Sequence, residues 1–381
     1  MTDRVVLHVG AMKTGTSWLQ AVLAENRTAL RRAGVLVAPH RSAAVRDLMA
    51  GPTDEKTATP DAWDRTVARI REHVGPVAVL SHEYLSFTGR AVRERVTASL
   101  ADTELHVLVT VRDAAGTLPA QWQTFARNRG TMTWPEYAVA ARDPATGPRD
   151  HTFVRSQRIA LILRQWGQVA PGRLHVVTVP RPGAPTDLLW DRVAEVLGVD
   201  PAVAERRGGG ANVSVGYASA HLLCLLHQHV GGDVSPAQVR RLTMHLATTV
   251  LSGRRSEEPR PMLDAETLRF TSEWNHRARA AVVASGAHLV GELEDLPVLA
   301  PDDGPDPAAV RSLSLPDDRD VLAAATDADD ALRRLLGARP ARPAYPSVSA
   351  AVDGLTGLMH DCVVTGAVER LNPRGTALRD G

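Results

Sequence analysis

Two glycines and a lysine near the start of the chain form a candidate anion-binding loop. Gly10 and Gly15 enclose four residues, Lys13 lies between them, and Thr16 and Ser17 follow. The backbone N–H groups of a glycine loop that opens a helix point toward one place, and the helix dipole adds positive potential there. Because the lysine adds a full positive charge, this spacing predicts a site for a phosphate or a similar oxyanion.

The position of the lysine differs from that in the usual nucleotide-binding loop. That loop reads G-x-x-x-x-G-K-[ST], with the lysine after the second glycine. Here Thr16 follows the second glycine, and the basic residue is Lys13. In a nucleoside triphosphatase the lysine reaches the terminal phosphates and the next hydroxyl holds magnesium. The displaced lysine therefore predicts a different phosphate compound.

Further polar side chains follow two strand-like segments. His82 and Glu83 come directly after the apolar run 77–81, and Arg112 follows the run 105–111. In parallel sheets, ligands bind outside the carboxyl ends of the strands. We therefore expect these side chains to lie near the glycine loop. The alternative interpretation is a polar pair without chemistry at 82–83, and an arginine that is solvated or paired with Asp113.

His82 and Glu83 are the candidate general bases. An acceptor hydroxyl or amine must lose a proton as it attacks, and the group that takes the proton must lie beside the loop. Adjacent residues at a strand end point in different directions, so one of the two can act while the other faces away or orients it. Histidine needs little pKa adjustment near neutral pH, which slightly favours His82. The other histidines, including His8, are predicted to be structural.

The segment Lys13 to Trp18 resembles the 5′-phosphosulfate loop of sulfotransferases that use 3′-phosphoadenosine 5′-phosphosulfate (PAPS) as donor. The resemblance implies that Lys13 contacts the phosphosulfate and that Trp18 stacks on adenine. The cradle of the 5′-phosphate would then be Thr14, Gly15, Thr16 and Ser17. A fixed ammonium at the bridging oxygen, where negative charge develops, stabilises the transition state more than the ground state. Sulfate carries less charge than a terminal phosphate, so no metal is expected.

The resemblance also implies a second basic site for the 3′-phosphate. Family members have an arginine at a strand end, which Arg112 matches, and a serine eight residues later, where this chain has Ala120. Candidate replacements for that serine are Thr117, Gln121 and Gln123. Arg207 and Gly208 resemble part of an Arg-Lys-Gly element that binds the 3′-phosphate and adenine. Asn212 lies in a region where bacterial members carry Asn and Ser; Ser214 there is alternatively a helix cap.

Composition limits the classes of function. The chain has 381 residues, 44% of them hydrophobic, and a formal net charge of +1, so no global charge favours nucleic-acid binding. Its 2 cysteines favour neither a disulfide framework nor a metal cluster. The first residues lead directly into a strand-like run, and no segment reaches a membrane-spanning length without charge. We expect a soluble cytoplasmic protein with no membrane and no nucleic-acid partner.

The pattern of the chain predicts an α/β fold, with a mostly parallel central sheet, helices on both faces and a P-loop-like nucleotide-binding core. Predicted strands cover 5–9, 34–38, 77–81, 105–111 and 174–179. Predicted helices between them cover 16–32, 61–73, 90–100, 118–128, 156–169 and 188–197. Further helices are expected at 214–229, 236–251 and 265–284, and a last short extended segment follows them. We expect one domain, 1–300, with a core at 1–212 and a helical, acceptor-side part at 213–300. A tail at 301–381 is expected to be partly helical (319–336, 349–370) or loosely ordered.

The predicted activity is in-line transfer of a sulfuryl group from PAPS to a hydroxyl or amine of a small-molecule or carbohydrate acceptor. Two alternatives remain. A kinase with a degenerate loop would need magnesium and an acidic residue at a neighbouring strand end, for which Asp113 and Glu83 are the obvious candidates. A non-catalytic nucleotide-binding protein, which the alanine at position 120 allows, would bind the donor without transferring its group.

Overall fold

The chain folds into two compact units that alternate along the sequence. A computed structural model describes residues 2–38, 42–50, 61–143, 151–185, 187–205, 214–299 and 312–372. The first unit, which we call the sheet unit, comprises 1–117, 153–212 and 269–303. The second, the helical unit, comprises 118–152, 213–268 and 304–381. The sequence predicted one domain, 1–300, with a core at 1–212 and a helical part at 213–300, followed by a tail at 301–381; that organisation stays a prediction.

A parallel sheet of six strands forms the centre of the sheet unit. The strands are β1 (Arg4–His8), β2 (Val35–Val37), β3 (Val77–Ser81), β4 (Glu104–Val111), β5 (Leu174–Thr178) and β6 (His288–Val290). They lie in the order β2-β3-β1-β4-β5-β6, and every neighbouring pair is parallel. The chain extends the sheet on one side of β1 and then on the other, so β1 lies at the switch point where ligands bind in such sheets.

Fifteen helices in the described residues accompany the strands. They are α1 (Thr16–Glu25), α2 (Arg27–Arg32), α3 (Ser42–Met49), α4 (Ala62–Glu72), α5 (Arg90–Ser99), α6 (Ala114–Arg127), α7 (Trp134–Arg142), α8 (Thr152–Ser156), α9 (Ile159–Gly167), α10 (Leu188–Leu197), α11 (Tyr217–His229), α12 (Pro236–Leu246), α13 (Ala265–Ala284), α14 (Asp318–Leu336) and α15 (Val348–Val364). A 3-10 turn follows β3 at Glu83–Phe87, and a π-helical turn continues α12 at Ala247–Leu251.

Alternate residues of the strands bury two apolar layers, one on each face of the sheet. On one face, Val6, Leu108 and Val177 pack with apolar residues of α1, α2 and α10. On the other face, Val5 and Val107 pack with apolar residues of α4, α5, α9 and α13. Strands buried on both faces read as nearly continuous apolar runs. The prediction of an α/β fold with a parallel sheet and helices on both faces is confirmed.

One long helix predicted after the loop is instead two. The sequence predicted a helix over 16–32, but α1 ends at Glu25 and α2 begins at Arg27, with Asn26 between them. The Asn26 side-chain amide donates to the carbonyls of Val22 and Glu205, both at 2.9 Å, and its oxygen accepts from the Glu205 N–H at 2.7 Å. The bonds to Glu205, which is remote in the sequence, stabilise the break between the two helices. Local helix propensity alone did not predict this break.

The helical unit contains the described part of the tail. Helices α14 and α15 pack against each other and against α11. Glu258, which is 7% exposed, accepts from the backbone N–H of Ser219 at 2.9 Å in the first turn of α11 and from Arg254 at 3.0 Å. A carboxylate there satisfies an otherwise unpaired helix N–H group and interacts favourably with the helix dipole. Because α14 and α15 make up most of residues 312–372, this part of the tail is largely helical and packs against α11.

Candidate functional site

The residues singled out in the sheet unit follow three adjacent strands. The glycine loop follows β1, His82 and Glu83 follow β3, and Arg112 follows β4, while the sheet order is β3-β1-β4. Since all three strands are parallel, their carboxyl ends meet at one edge of the sheet. The backbone N–H of His82 donates to the carbonyl of His8 at 3.0 Å, which fixes the first residue after β3 beside the start of the loop.

The loop reaches α1 through two left-handed residues. Lys13 has φ 66° and Gly15 has φ 85°. Gly15 is also the residue before the first turn of α1, which has no side-chain cap and no acidic residue. Glycine adopts this conformation at little cost, whereas lysine does so at roughly 1–2 kcal/mol. Because no side chain caps α1, the N–H groups of its first turn and the positive end of its dipole are available to an anion.

Thr16 places a hydroxyl at this helix terminus that makes no hydrogen bond to any described part of the chain. The residue is only 4% exposed. Gly10 lies against it, because a Cβ on Gly10 would come within 2.5 Å of Thr16 Oγ1. Buried polar atoms are normally paired, so an unpaired hydroxyl calls for an explanation such as a ligand. The arrangement suits an oxyanion, which accepts hydrogen bonds from hydroxyl and N–H groups together.

The remaining loop residues have different environments. The Thr14 hydroxyl turns inward and donates to the carbonyl of Ala11 at 2.7 Å, so its side chain shapes the loop. Ser17 is exposed. Trp18 is half-buried and packs against the apolar layer beneath α1. Gln157 secures the loop from the side, since its amide donates to the carbonyl of Met12 at 2.6 Å.

Arg112 and Asp113 have separate tasks at the end of β4. The Arg112 guanidinium donates to the carbonyl of Lys13 at 3.3 Å. The Asp113 carboxylate accepts from the N–H groups of Ala115 at 3.0 Å and Gly116 at 3.3 Å, and so caps α6. Asn275 donates to the same carboxylate at 2.7 Å and accepts from the N–H of Ala114 at 2.9 Å. Asp113 is thereby committed to holding the start of α6.

His82 and Glu83 point into different surroundings. His82 is 6% exposed, and its Nδ1 accepts from the N–H of Tyr84 at 3.3 Å. Glu83 is half-buried, and its carboxylate accepts from the Gln20 amide at 3.4 Å. When Nδ1 of a neutral imidazole accepts a hydrogen bond, the proton of the ring is on Nε2. The ring then has no second basic nitrogen, whereas a carboxylate keeps several acceptor positions.

The remaining predicted positions make hydrogen bonds of other kinds, contain an atom with no described partner, or lie outside the described residues. The Thr117 hydroxyl donates back to the carbonyl of Asp113, the residue before α6, at 2.8 Å. In the helical unit, Gln123 accepts from the hydroxyl of Ser214 at 3.3 Å, and Ser214 precedes α11 without capping it. Gln121, also there, is 5% exposed, and its Oε1 has no partner among the described residues. Arg207, Gly208 and Asn212 lie outside the described residues.

Sequence reasoning missed a set of polar residues beneath the loop. Ser81 ends β3, Thr110 lies near the end of β4, and Gln20 lies on α1. With His8 they form hydrogen bonds on the face of the sheet that α1 covers. The available signal was a polar residue near the carboxyl end of three otherwise apolar strands. His8 was predicted to be structural, and it is fully buried.

The described residues contain neither a candidate metal site nor a candidate membrane-spanning helix. Among those residues, no three His, Cys, Asp or Glu side chains converge in a way that suits a metal ion. No described helix combines the length and the apolar character needed to cross a bilayer.

Comparison with known proteins found structural similarity to a sulfotransferase. No protein-family model matches the chain, and neither does any curated protein. The crystal structure of a sulfotransferase from Alicyclobacillus acidocaldarius matches with 17% sequence identity and a TM-score of 0.37, over 56% of this chain and 87% of that chain. Similarity at this level does not indicate an activity for this chain.

Proposed function

We propose that the protein is a PAPS-dependent sulfotransferase that acts on a hydroxyl or amine of a small-molecule or carbohydrate acceptor. The observation that carries the proposal is the unpaired, 4% exposed hydroxyl of Thr16 at the uncapped start of α1. Lys13 precedes that position within the same loop, and Arg112 contacts the backbone of Lys13. Together they supply a hydroxyl, helix N–H groups and two cations for a compound with more than one anionic group.

Different residues of the site bind different parts of the donor. The N–H groups of the first turn of α1 and the Thr16 hydroxyl hold the 5′-phosphate. Arg112 takes the 3′-phosphate, because a guanidinium binds phosphate oxygens through two parallel N–H groups. Trp18 offers the edge or face of its indole to the adenine, in keeping with its half-buried position.

Lys13 acts on the reacting bonds. PAPS supplies a sulfuryl group whose bond to the bridging phosphate oxygen breaks as the acceptor atom bonds to sulfur, and the electron pair stays on the bridging oxygen. The Lys13 ammonium stabilises the charge that develops on that oxygen. The left-handed backbone at φ 66° holds the side chain at the turn of the loop, at an energetic cost that an exposed, functionless lysine would not justify.

Glu83 is the better candidate for the general base. The acceptor must lose its proton to a group with an available lone pair. The hydrogen bond from Tyr84 occupies Nδ1 of His82, whereas the Glu83 carboxylate has acceptor capacity beyond its bond to Gln20. We therefore assign the base to Glu83 and a supporting role to His82, which is the reverse of the slight preference that the sequence suggested.

The kinase alternative retains only Glu83 of its two candidate metal ligands at this edge of the sheet. It needs a carboxylate at a neighbouring strand end to hold magnesium. The Asp113 carboxylate is engaged by two N–H groups of α6 and by Asn275. Using it as a metal ligand would leave the first turn of α6 without its cap.

The test is calorimetric titration with 3′-phosphoadenosine 5′-phosphate, the desulfated donor, in parallel with magnesium-ATP. We expect the bisphosphate to bind and magnesium-ATP to bind at least about tenfold more weakly, a difference of about 1.4 kcal/mol. Lys13→Ala and Arg112→Ala should weaken bisphosphate binding. Arg90→Ala is the matched control, because Arg90 is exposed and pairs with Glu94 on α5.

Tight binding of magnesium-ATP alone would replace this proposal with the kinase. Binding of the bisphosphate without transfer from PAPS to any acceptor in a broad screen of phenols, amines and sugars would support the non-catalytic alternative.

A further inference from the structure

A continuous chain of buried hydrogen bonds connects the glycine loop with the strands beneath it. Thr14 Oγ1 lies 2.6 Å from Thr110 Oγ1, which lies 3.1 Å from Nε2 of His8. Nδ1 of His8 lies 2.7 Å from Ser81 Oγ. Thr14, Thr110 and His8 are at most 1% exposed. We call Thr14, Thr110, His8 and Ser81 the buried chain.

The direction of every hydrogen bond in the buried chain follows from its end. Thr14 donates its only hydroxyl hydrogen to the carbonyl of Ala11, which can only accept. Thr110 must therefore donate to Thr14, and it must accept from Nε2–H of His8.

The same reasoning extends to the other end of the buried chain. A neutral His8 with its hydrogen on Nε2 has a bare Nδ1, which accepts from the Ser81 hydroxyl. The Gln20 amide donates to the carbonyl of Ser81 at 3.0 Å and lies 3.5 Å from its hydroxyl oxygen. Each donor thus has an acceptor, and one tautomer of His8 satisfies the whole arrangement. Full burial favours the neutral ring, since it lowers the pKa of His8 to about 3.

The glycine loop rests directly on the buried chain. A Cβ on Gly10 would lie 2.9 Å from both His8 Nε2 and Thr110 Oγ1, and 2.5 Å from the Thr16 hydroxyl. Gly10 therefore packs against His8 and Thr110 of the buried chain and against the proposed phosphate ligand Thr16 at the same time, because all three surround the position of its missing Cβ. A shift of His8 or Thr110 would move the loop backbone at both Gly10 and Thr14.

We propose that His8 is a positioning residue, which acts through Thr110 and Thr14 to hold the glycine loop in its anion-binding shape before any ligand arrives. Its Nε2–H is the essential group, because that hydrogen sets the direction of the hydrogen bonds toward the loop. A loop held in advance loses less conformational entropy on binding, which increases affinity. The part of this proposal that concerns nucleotide affinity rests on the proposed function, whereas the part that concerns the shape of the loop does not.

Two substitutions of His8 separate the two ring nitrogens. Glutamine places an amide nitrogen near the position of Nε2 and keeps the donor to Thr110. Asparagine places its amide group near the position of Nδ1 and keeps a partner for Ser81 but loses that donor. Thr110→Val removes the same link with little change of shape. Thr178→Val is its matched control, because Thr178 is a buried threonine at the end of the neighbouring strand β5, bonded to Asp295 at 2.7 Å.

The first measurement is amide hydrogen exchange of loop residues 10–16 in the ligand-free protein, relative to the amides of α5. We expect exchange to rise about tenfold in His8→Asn and Thr110→Val, the effect of losing one buried hydrogen bond. We expect the exchange rates of the loop amides in His8→Gln and Thr178→Val to stay within about twofold of those in the wild type. If His8→Asn does not fold, Thr110→Val against Thr178→Val still decides the result.

The second measurement is the affinity for 3′-phosphoadenosine 5′-phosphate in the same variants. We expect about tenfold weaker binding in His8→Asn and Thr110→Val and little change in His8→Gln. Equal loop exchange in the glutamine and asparagine variants, or in the two valine variants, would overturn the positioning role. If the wild type binds no bisphosphate, the proposed function fails, and the exchange data still decide the role of His8.

Discussion

The Arg112 guanidinium donates a hydrogen bond to the main-chain carbonyl of Lys13 at 3.3 Å, although the two residues follow different strands. This contact connects the end of β4 with the glycine loop after β1. The two cations that we propose bind the donor are therefore linked through the backbone of one of them. The side chain of Arg112 has a structural task in the loop in addition to its charge.

Arg112→Ala should weaken binding of the bisphosphate by about tenfold to hundredfold, the range for losing a hydrogen bond to a charged group. Arg112→Lys should recover only part of the affinity, because an ammonium keeps the charge but lacks the planar pair of donors. Calorimetry measures both. Equal affinity of the lysine variant and the wild type would show that charge alone is required.

Lys13→Gly should abolish tight donor binding while keeping or raising the melting temperature. The left-handed backbone at φ 66° costs a lysine roughly 1–2 kcal/mol and costs glycine little. Lys13→Ala removes the same ammonium and keeps the strain, so it is the natural comparison. Thermal unfolding and calorimetry on the pair separate stability from binding. A glycine variant less stable than the alanine variant would contradict the strain argument.

Glu83→Gln should lower the rate of sulfuryl transfer by about 100-fold to 10,000-fold, the usual contribution of a general base. Binding of the bisphosphate should hardly change, because the base acts on the acceptor. The measurement is single-turnover transfer from PAPS to an acceptor found by screening. His82→Gln serves as the comparison, and a larger loss there than in Glu83→Gln would return the role of base to His82.

Asp113→Asn should keep donor binding within about twofold and cost less stability than Asp113→Ala. Asparagine caps helices about as well as aspartate, whereas alanine at such a position costs about 1 kcal/mol. Denaturant unfolding measures the stability difference, and calorimetry measures the affinity. A loss of nucleotide binding in the asparagine variant that tracked the magnesium concentration would favour the kinase instead.

His8 should make the protein less stable in mild acid. Its folded-state pKa is lowered from 6.5 to about 3 by burial, so between these values the unfolded chain binds a proton that the folded chain does not. The contribution of the neutral His8 to stability is fully present above pH 6.5 and declines as the pH falls toward 3. At pH 5 this one group lowers the free energy of unfolding by about 2 kcal/mol.

Burial also lowers the pKa of His175 on β5, to about 4, with the same sign of effect. Denaturant unfolding of the wild type and of His8→Gln between pH 5 and pH 8 isolates the contribution of His8. The stability of the variant should decline less steeply on acidification. Parallel curves for the two proteins would mean that His8 titrates normally in the folded state.

Much of the fold follows from patterns that are local in the chain. Strand β3 and helices α10 and α13 have the predicted bounds, since their apolar runs and periodicities need no remote partner to be recognised. The split between α1 and α2 was not predictable, because the bonds of Asn26 to Glu205 join residues that are far apart in the sequence. The early start of α6 depends in the same way on Asn275.

The candidate site divides along the same line. Residue types and spacing were sufficient to propose an anion site around Lys13, because a glycine loop before a helix presents its N–H groups whatever surrounds it. The sequence also named His82, Glu83 and Arg112, which the sheet order brings to one edge. It could not say which of His82 and Glu83 has a lone pair available, since that depends on one hydrogen bond from Tyr84.

Only the tertiary structure revealed what lies beneath the loop. Three separate, mostly apolar strands each carry one polar residue near the carboxyl end: His8, Ser81 and Thr110. In the sequence, none of the three by itself indicates a function. The parallel sheet brings them together under Gly10 and Thr14, where burial makes every hydrogen bond obligatory. The bond from Thr14 to the Ala11 carbonyl then fixes the direction of each. Local patterns identify elements and loops, but the order of the strands decides which polar groups meet.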